Sequence, residues 1–427
     1  TVVCMVVPGI LAAQNWDDHD RSHRTMARDI GWNYLQSVLP NAIIINYGDN
    51  DTFPLWFNQE VDGVRPDVRI MNTSYLGAEW YIDEMKTKAN DAPGVPFTLP
   101  RSKYTYTNDI IPIFNVVDRP LELKEAIDFI RSEDPRTKYD LGDGHLVDYL
   151  PNNRFALPVN KDNAIASGIV KESDRDLMVD TIYLELPKRT IDKSKMMLLD
   201  MLANFDWKRP IYFTQFSSPA SLGLKDYLQL DGFAYRFVPI RTPSAPAKKT
   251  SDYLKVGRID SEYLYDKLMN QFRYGNIDDP RVYADHTIQT NFRATFTRGL
   301  YAQLADQLLA EGDTTRAVEV LDSVVRRIPF SQIRHDYLTT IPLIESYYKA
   351  GAFDKGNAIL EDYAQNLEQY IDHYLRFTGK TKELVEPQLY DNLQNLLELH
   401  QTAADFGQQE QIERLDQYFQ SIGLTDQ

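Results

Sequence analysis

The stretch NAIIINYGDNDTFPLWFNQEVDGVRPDVRIMN, residues 41–72, restricts the fold more than any other part of the chain. Ala42 to Tyr47 read as a buried strand, built on three consecutive isoleucines, because short apolar runs of β-branched residues suit a covered pleated surface. Gly48 to Asp51 then form a tight loop. Phe53, Trp56, Phe57 and Val61 share one helical face, and Gly63 closes that helix. VRIMNTSYL follows as a second strand. Strand, helix and strand joined by short connections make a βαβ unit, so the two strands are expected to be parallel neighbours. Ahead of this unit, Met26, Ile30, Tyr34 and Val38 recur every fourth residue, which predicts a helix from His23 to Leu39 stopped by Pro40.

Further strands are expected at Phe155–Val159, Ile182–Leu186, Ile211–Phe213 and Ala234–Ile240. The helix KSKMMLLDMLANF lies between two of them, and another runs from Leu121 to Ser132. Residues 135–153 read as a polar, glycine-containing excursion. The segment RTPSAPAKKT, residues 241–250, has the composition of a linker. The expectation is therefore an α/β domain over residues 14–240, a Rossmann-like βαβ sheet, followed by a linker and a helical connector over 251–296. Residues 297–427 form an all-α part. There YAQLADQLLAEGDTTRAVEVLDSVVRRIP fits a tetratricopeptide-like helical hairpin, with Tyr301, Leu304, Ala305, Gly312, Ala317 and Pro329 in the pattern positions. Leu343, Tyr347 and Gly351 mark a weaker second unit, and Leu399 with Gly407 a third. Such stacks bind protein segments or brace a neighbouring domain.

Composition excludes some functions. A formal charge of −16 without a Lys/Arg stripe speaks against nucleic acid, whose phosphates need a basic footprint. The single cysteine, Cys4, allows no disulfide within the chain and no cysteine zinc site. No G-x-S-x-G, P-loop, G-x-G-x-x-G or Cys–His arrangement occurs. The opening TVVCMVVPGILAA is apolar up to Gln14, too short for the roughly 20 residues of a membrane span. Residues 1–13 are read as the end of a truncated transmembrane helix, with Trp16 at the membrane interface. The alternative is a buried N-terminal strand.

Two polar constellations carry the candidate site. Asp49, Asn50 and Asp51 follow a strand whose carboxyl end is where open α/β sheets bind ligands, and such residues suit a divalent cation or sugar hydroxyls. Equally, Asp51 would serve as a helix N-cap. Asp17, Asp18, His19, Asp20 and His23 form the second constellation. They match no zinc spacing, and the same oxygens and imidazoles either hold a metal or cap the next helix through Asp20 or Ser22. Trp56, Trp80 and Tyr81 would stack on sugar rings or fill the core. His145 is a lone loop histidine without an assigned role.

The segments AAQNWDDHDRS, NYGDNDTFPLWFNQEVDGVRPDVRIMN, LLDMLANFDWKRPIYF and YLQLDGFAYRFVPI, continued by EGDTTRAVEVLD, cover nearly the whole chain. Together they resemble the soluble C-terminal region of a family of multi-pass membrane proteins from Bacteroidota, described as a domain of unknown function and as protein O-mannosyltransferase-like. The resemblance implies a parent glycosyltransferase that uses a lipid-linked sugar donor, with its catalytic carboxylate on a membrane loop outside this chain. It implies that the chain faces the periplasm at the inner membrane, has no catalytic residue or known cofactor of its own, and is joined to its own N-terminal membrane domain. On that basis the expected partner is an acceptor protein or glycan, with the chain recognising it or bracing the membrane active site. Asp17–Asp20, Asp49–Asp51 and Trp56 would then line a cleft. Two other readings stay open: a metal-dependent hydrolase built on the Asp/His residues, and a protein-binding scaffold.

Overall fold

The computed structural model describes residues 2–105, 108–140, 142, 144, 146–186, 189–243, 255–291 and 294–424. The chain divides into two compact units, Thr25–Pro246 with Val256–Gly275, and Thr1–Arg24 with Ala247–Lys255 and Asn276–Gln427. The first is mixed α/β with several sheets. The second is all-helical. His145 and most of the 241–250 segment lie outside the described residues.

The helical unit opens with α1, Val2–Gln14, so the apolar start is helix and not strand. Its described side chains are exposed, Met5, Val6, Val7, Ile10 and Leu11 among them. Among the described residues no helix is long and apolar enough to cross a membrane.

In the α/β unit, α2 covers Met26–Ser37, shorter at both ends than the sequence suggests. Strand β1 is Ile43–Asn46, helix α3 Asp49–Glu60 and strand β2 Arg69–Asn72. β1 and β2 are parallel, with Ile43 opposite Arg69 and Asn46 opposite Asn72, as the short connections require. Helix α4, Lys193–Asn204, leads to β3, Ile211–Phe213, parallel to the other side of β1. Leu228–Leu230 (β4), Tyr235–Phe237 (β5) and Arg258–Ile259 (β6) complete a six-stranded mixed sheet in the order β6-β4-β5-β3-β1-β2. β5 runs antiparallel to both β3 and β4.

Arg154–Pro158 and Thr181–Glu185 belong to a separate three-stranded sheet with Leu121–Glu122. The Ile182–Leu186 strand is thus not a sheet neighbour of β3, although a helix separates them in sequence. The polar excursion contains an antiparallel hairpin, Lys138–Asp140 with Leu146–Asp148.

The approach of α2 to α3 is set by Gly31: a Cβ there would lie 2.2 Å from the Pro54 carbonyl oxygen. Asn58 holds the same junction, donating from Nδ2 to the carbonyls of Arg28 and Pro54, both at 2.8 Å. The apolar face expected to seat α3 turns outward instead. Phe53, Phe57 and Val61 are 51%, 44% and 67% exposed, while Pro54, Leu55, Asn58 and Gln59 are buried. Two amide side chains take interior positions here because each finds carbonyl acceptors; Gln59 donates to Arg65 and Val68. Under the sheet, buried Arg236 pairs with fully buried Asp231 at 2.7 Å, and Tyr212 and Gln229 donate to the same carboxylate. Burial works against the guanidinium charge, but Asp231 more than offsets it and raises the Arg236 pKa.

In the helical unit, α5 (Ala294–Ala310) and α6 (Thr314–Arg327), α7 (Tyr337–Lys349) and α8 (Phe353–Leu375), and α9 (Gly379–Asp405) and α10 (Gln409–Ser421) follow as consecutive pairs. Gly312, Gly351 and Gly407 turn each pair at φ of 85°, 74° and 66°, left-handed angles that favour glycine. Tyr301, Leu304, Ala305 and Ala317 are buried. Arg298 is fully buried and donates to the carbonyls of Ile328, Ile333 and Arg334, which satisfies chain ends around α6. Its guanidinium lies 3.8 Å over the Phe330 ring. Phe330 in turn stacks on His335 at 4.1 Å, and His335 on Tyr363 at 4.6 Å.

Candidate functional site

The acidic triplet after β1 is helix and not loop: Asp49, Asn50 and Asp51 are the first three residues of α3. Gly48 holds the N-cap position. Asp51 sits at N3 and accepts from the Gly48 N–H at 3.0 Å and the Tyr47 N–H at 3.4 Å. Glycine has no side chain to return the bond, so this is half of a capping box. The Thr214 hydroxyl, just past β3, donates at 2.6 Å to Asp51 Oδ2, the oxygen that also accepts from Tyr47. Asp51 is buried and ties the ends of β1 and β3 to the helix start; Asp49 and Asn50 are exposed.

Trp56 is half-buried, stacked on Tyr75 at 6.2 Å and tilted against Phe53 at 5.8 Å. Tyr75 meets Tyr81 edge-on. The buried Tyr81 hydroxyl accepts from the Asn72 N–H at 2.8 Å, and burial pushes its pKa up to about 12. Trp80 is exposed and touches Tyr81 edge-on. Tyr81 is thus a core residue of the β2 end, and Trp56 and Trp80 are its outer neighbours.

The other acidic constellation belongs to the helical unit. Trp16–His19 form one helical turn, His19 Nδ1 donates to the Asn15 carbonyl at 2.9 Å, and Asp20 accepts from the Ser22 N–H at 2.8 Å. The bonds from Ser22 hold the Asp20 pKa below the usual carboxylate value. Asp20 therefore closes a local turn, and α2 begins later, after Thr25, without a side-chain cap. His23 adopts φ of 64°, and its carbonyl accepts from Asn276. The side chains of Asp17 and Asp18 lie outside the described residues. Among the described residues no group of three or more His, Cys, Asp or Glu side chains is placed to hold a metal ion.

What the sheet does build is a cleft of about 560 Å³ at the carboxyl ends of β1, β2 and β3. Ile45, Asn46 and Tyr47 come from the β1 end, Thr73 and Ser74 from beyond β2, and Thr214 from beyond β3. The N-cap and first two turns of α4 add Asp192, Ser194, Lys195 and Leu198. Gln215, Ser217, Ser218 and Ser221 close the remaining side. Several of these groups hold the wall itself. Thr73 and Ser74 hydroxyls donate to the carbonyls of Asn46 and Tyr47, and Ser221 to that of Ser218. Asp192 caps α4 by accepting from the Lys195 N–H at 2.8 Å, and the Lys195 ammonium returns to it at 3.4 Å. The two charged groups of the lining thus neutralise one another.

Asn46 is 2% exposed, and among the described residues neither its amide oxygen nor its nitrogen has a partner. Tyr47 is anchored by its backbone to Asp51 and Ser74, and the residue is 62% exposed. Sequence reasoning placed a ligand near β1 but not on these residues: isolated serines and a glutamine between 194 and 221 read as loop polarity, and no periodicity joins them to Asn46. Only the general rule about strand ends could have found them.

No curated protein and no solved structure matches the chain. Residues 27–263, more than half of the chain and including every residue that lines the cleft, match the family described as TMEM260-associated domain 2, and the chain belongs to that family.

Proposed function

We propose that this chain is the non-catalytic, extracytoplasmic region of a membrane glycosyltransferase of the protein O-mannosyltransferase-like kind. In this reading it stands at the periplasmic face of the inner membrane, joined to its own N-terminal membrane domain. The α/β unit is a Rossmann-like recognition domain. The helical pairs form a tetratricopeptide-like stack that receives the acceptor protein or braces the membrane active site. The family match and the resemblance of the Asp-rich and β3 segments support the parentage.

The observation that carries a recognition role is the cleft at the ends of three neighbouring parallel strands, the position at which open α/β sheets take ligands. Its lining offers hydroxyls and amides and no unpaired charge, which suits binding more than proton transfer or phosphoryl chemistry.

The test is Gln215→Leu with Ser218→Ala in the full-length parent. Acceptor glycosylation in cells is expected to fall while the amount of membrane-inserted protein stays the same. Unchanged glycosylation would remove the recognition role. Sugar transfer by the isolated 427-residue chain would overturn the non-catalytic assignment.

A further inference from the structure

We infer that the cleft between the β1 and β3 ends and the start of α4 binds one neutral sugar ring, with Asn46 at its floor, Gln215 and three serines around it, and Tyr47 at the rim. This rests on the reading of the α/β unit as a recognition domain and names what it recognises.

A phosphate or carboxylate needs an unpaired cation or converging N–H groups, and a cation needs unpaired carboxylates. Of the lining groups, Lys195 and Asp192 carry charge, and they are bonded to each other. The remaining polar groups are neutral. Ser194, Gln215, Ser217 and Ser218 make no side-chain hydrogen bond to any described residue, while Thr73, Ser74, Thr214 and Ser221 are committed to the wall. Uncommitted hydroxyls and an amide, able to donate and accept, match a ring of hydroxyls that does both.

Asn46 adds an independent observation. A buried amide without partners is destabilising, and a native structure rarely keeps one without a use. Asn72, its register partner on β2, shows the ordinary outcome: its Nδ2 donates to Thr52 and its Oδ1 accepts from Ser74. Asn46 lacks both, and it is the one that lines the cleft.

A peptide added as a strand finds no edge on β1, the strand at the centre of the cleft, which is paired on both sides by β2 and β3. The volume of about 560 Å³ falls in the range of small-molecule sites. The exposed face of Tyr47 supplies the apolar contact that the C–H face of a sugar requires.

The experiment titrates the purified 427-residue chain with methyl α-hexopyranosides of gluco, manno and galacto configuration, followed by saturation-transfer NMR and calorimetry. Glucuronate, inorganic phosphate and a serine/threonine-rich peptide run in parallel. At least one neutral hexoside is expected to bind with Kd of about a millimolar, with glucuronate and phosphate at least as weak. Asn46→Leu and Gln215→Leu are each expected to weaken binding about five- to tenfold, one hydrogen bond's worth. Asn46→Leu should leave Tm unchanged or higher, because it removes an unsatisfied amide; a purely structural Asn46 would lower it. The inference falls if no neutral hexoside binds, if binding survives both variants, or if the peptide or an anion is preferred. Should hexosides fail while Gln215→Leu with Ser218→Ala still stops glycosylation by the parent, the sugar assignment alone is lost. Should hexosides bind and the parent variant glycosylate normally, the recognition role is lost instead.

Discussion

A carboxylate that accepts from two N–H groups and one hydroxyl, as Asp51 does, gathers three donors from the ends of β1 and β3 at one helix start. Asp51→Ala is therefore expected to cost about 2–3 kcal/mol in urea unfolding, the sum of a lost cap and a lost buried hydrogen bond from Thr214. Asp49→Asn, on the exposed first turn beside it, should stay within about 0.5 kcal/mol. Equal effects at the two positions would show that the hydrogen-bond geometry around Asp51 is not what stabilises the helix start. His335 is a second residue whose surroundings fix its behaviour. Burial between Phe330 and Tyr363 pushes its pKa down to about 4, against the opposing bond to Asp362 at 2.9 Å. An unfolded histidine titrates near 6.5, so between these values the unfolded chain binds a proton that the folded chain excludes. Stability then falls as pH is lowered through that window, by about 3 kcal/mol at its lower end. His335→Gln, which cannot protonate, should be less stable than the parent at pH 7. The gap should close towards pH 4.5, measured as urea midpoints. A constant gap would contradict the burial of a neutral imidazole.

At the scale of elements, the contact of α2 with α3 makes the sharpest demand. An added methyl at Gly31 meets the Pro54 carbonyl at 2.2 Å, and a helix backbone cannot give way as a flexible side chain would. Gly31→Ala is expected to destabilise by about 1–3 kcal/mol despite alanine's better helix propensity; a stabilised variant would mean that the helices separate freely. The same junction shows where sequence is readable. β1 was legible to within one residue at each end because three isoleucines leave no other covered element of that length. The parallel pairing with β2 followed from connection length. The helix face did not follow, since Phe53, Phe57 and Val61 give the right period but not its direction, and buried amides at Asn58 and Gln59 look polar until their carbonyl partners are in place. The candidate site was legible in location and not in membership. Strand-end geometry pointed to the region after Asn46, but the cleft joins residues from 45 to 221 through contacts that no local pattern records. Of the acidic residues singled out in the sequence, Asp51 is spent on the helix start, Asp20 on a local turn, and Asp49 faces solvent.

For the molecule as a whole, the proposed membrane attachment sets two forces against each other. The chain carries a formal charge of −16, which repels an anionic lipid surface over about a Debye length. Helix α1 presents Met5, Val6, Val7, Ile10 and Leu11 to solvent, and burying one such side chain in an apolar phase is worth about 1.5–3 kcal/mol. Thirteen residues rise only about 20 Å, short of the roughly 30 Å hydrocarbon core, so on added vesicles this helix is expected to lie in the interface without crossing. The chain should therefore float with zwitterionic phosphatidylcholine vesicles. It should bind vesicles rich in phosphatidylserine more weakly at low salt, with the difference shrinking as salt screens the repulsion. Val7→Glu with Leu11→Glu should reduce vesicle binding by about tenfold or more for each side chain withdrawn, and leave hexoside binding in the α/β unit unchanged. Flotation that survives this double substitution would move the attachment away from α1, and stronger binding to anionic lipid at low salt would contradict the electrostatic sign on which the argument depends.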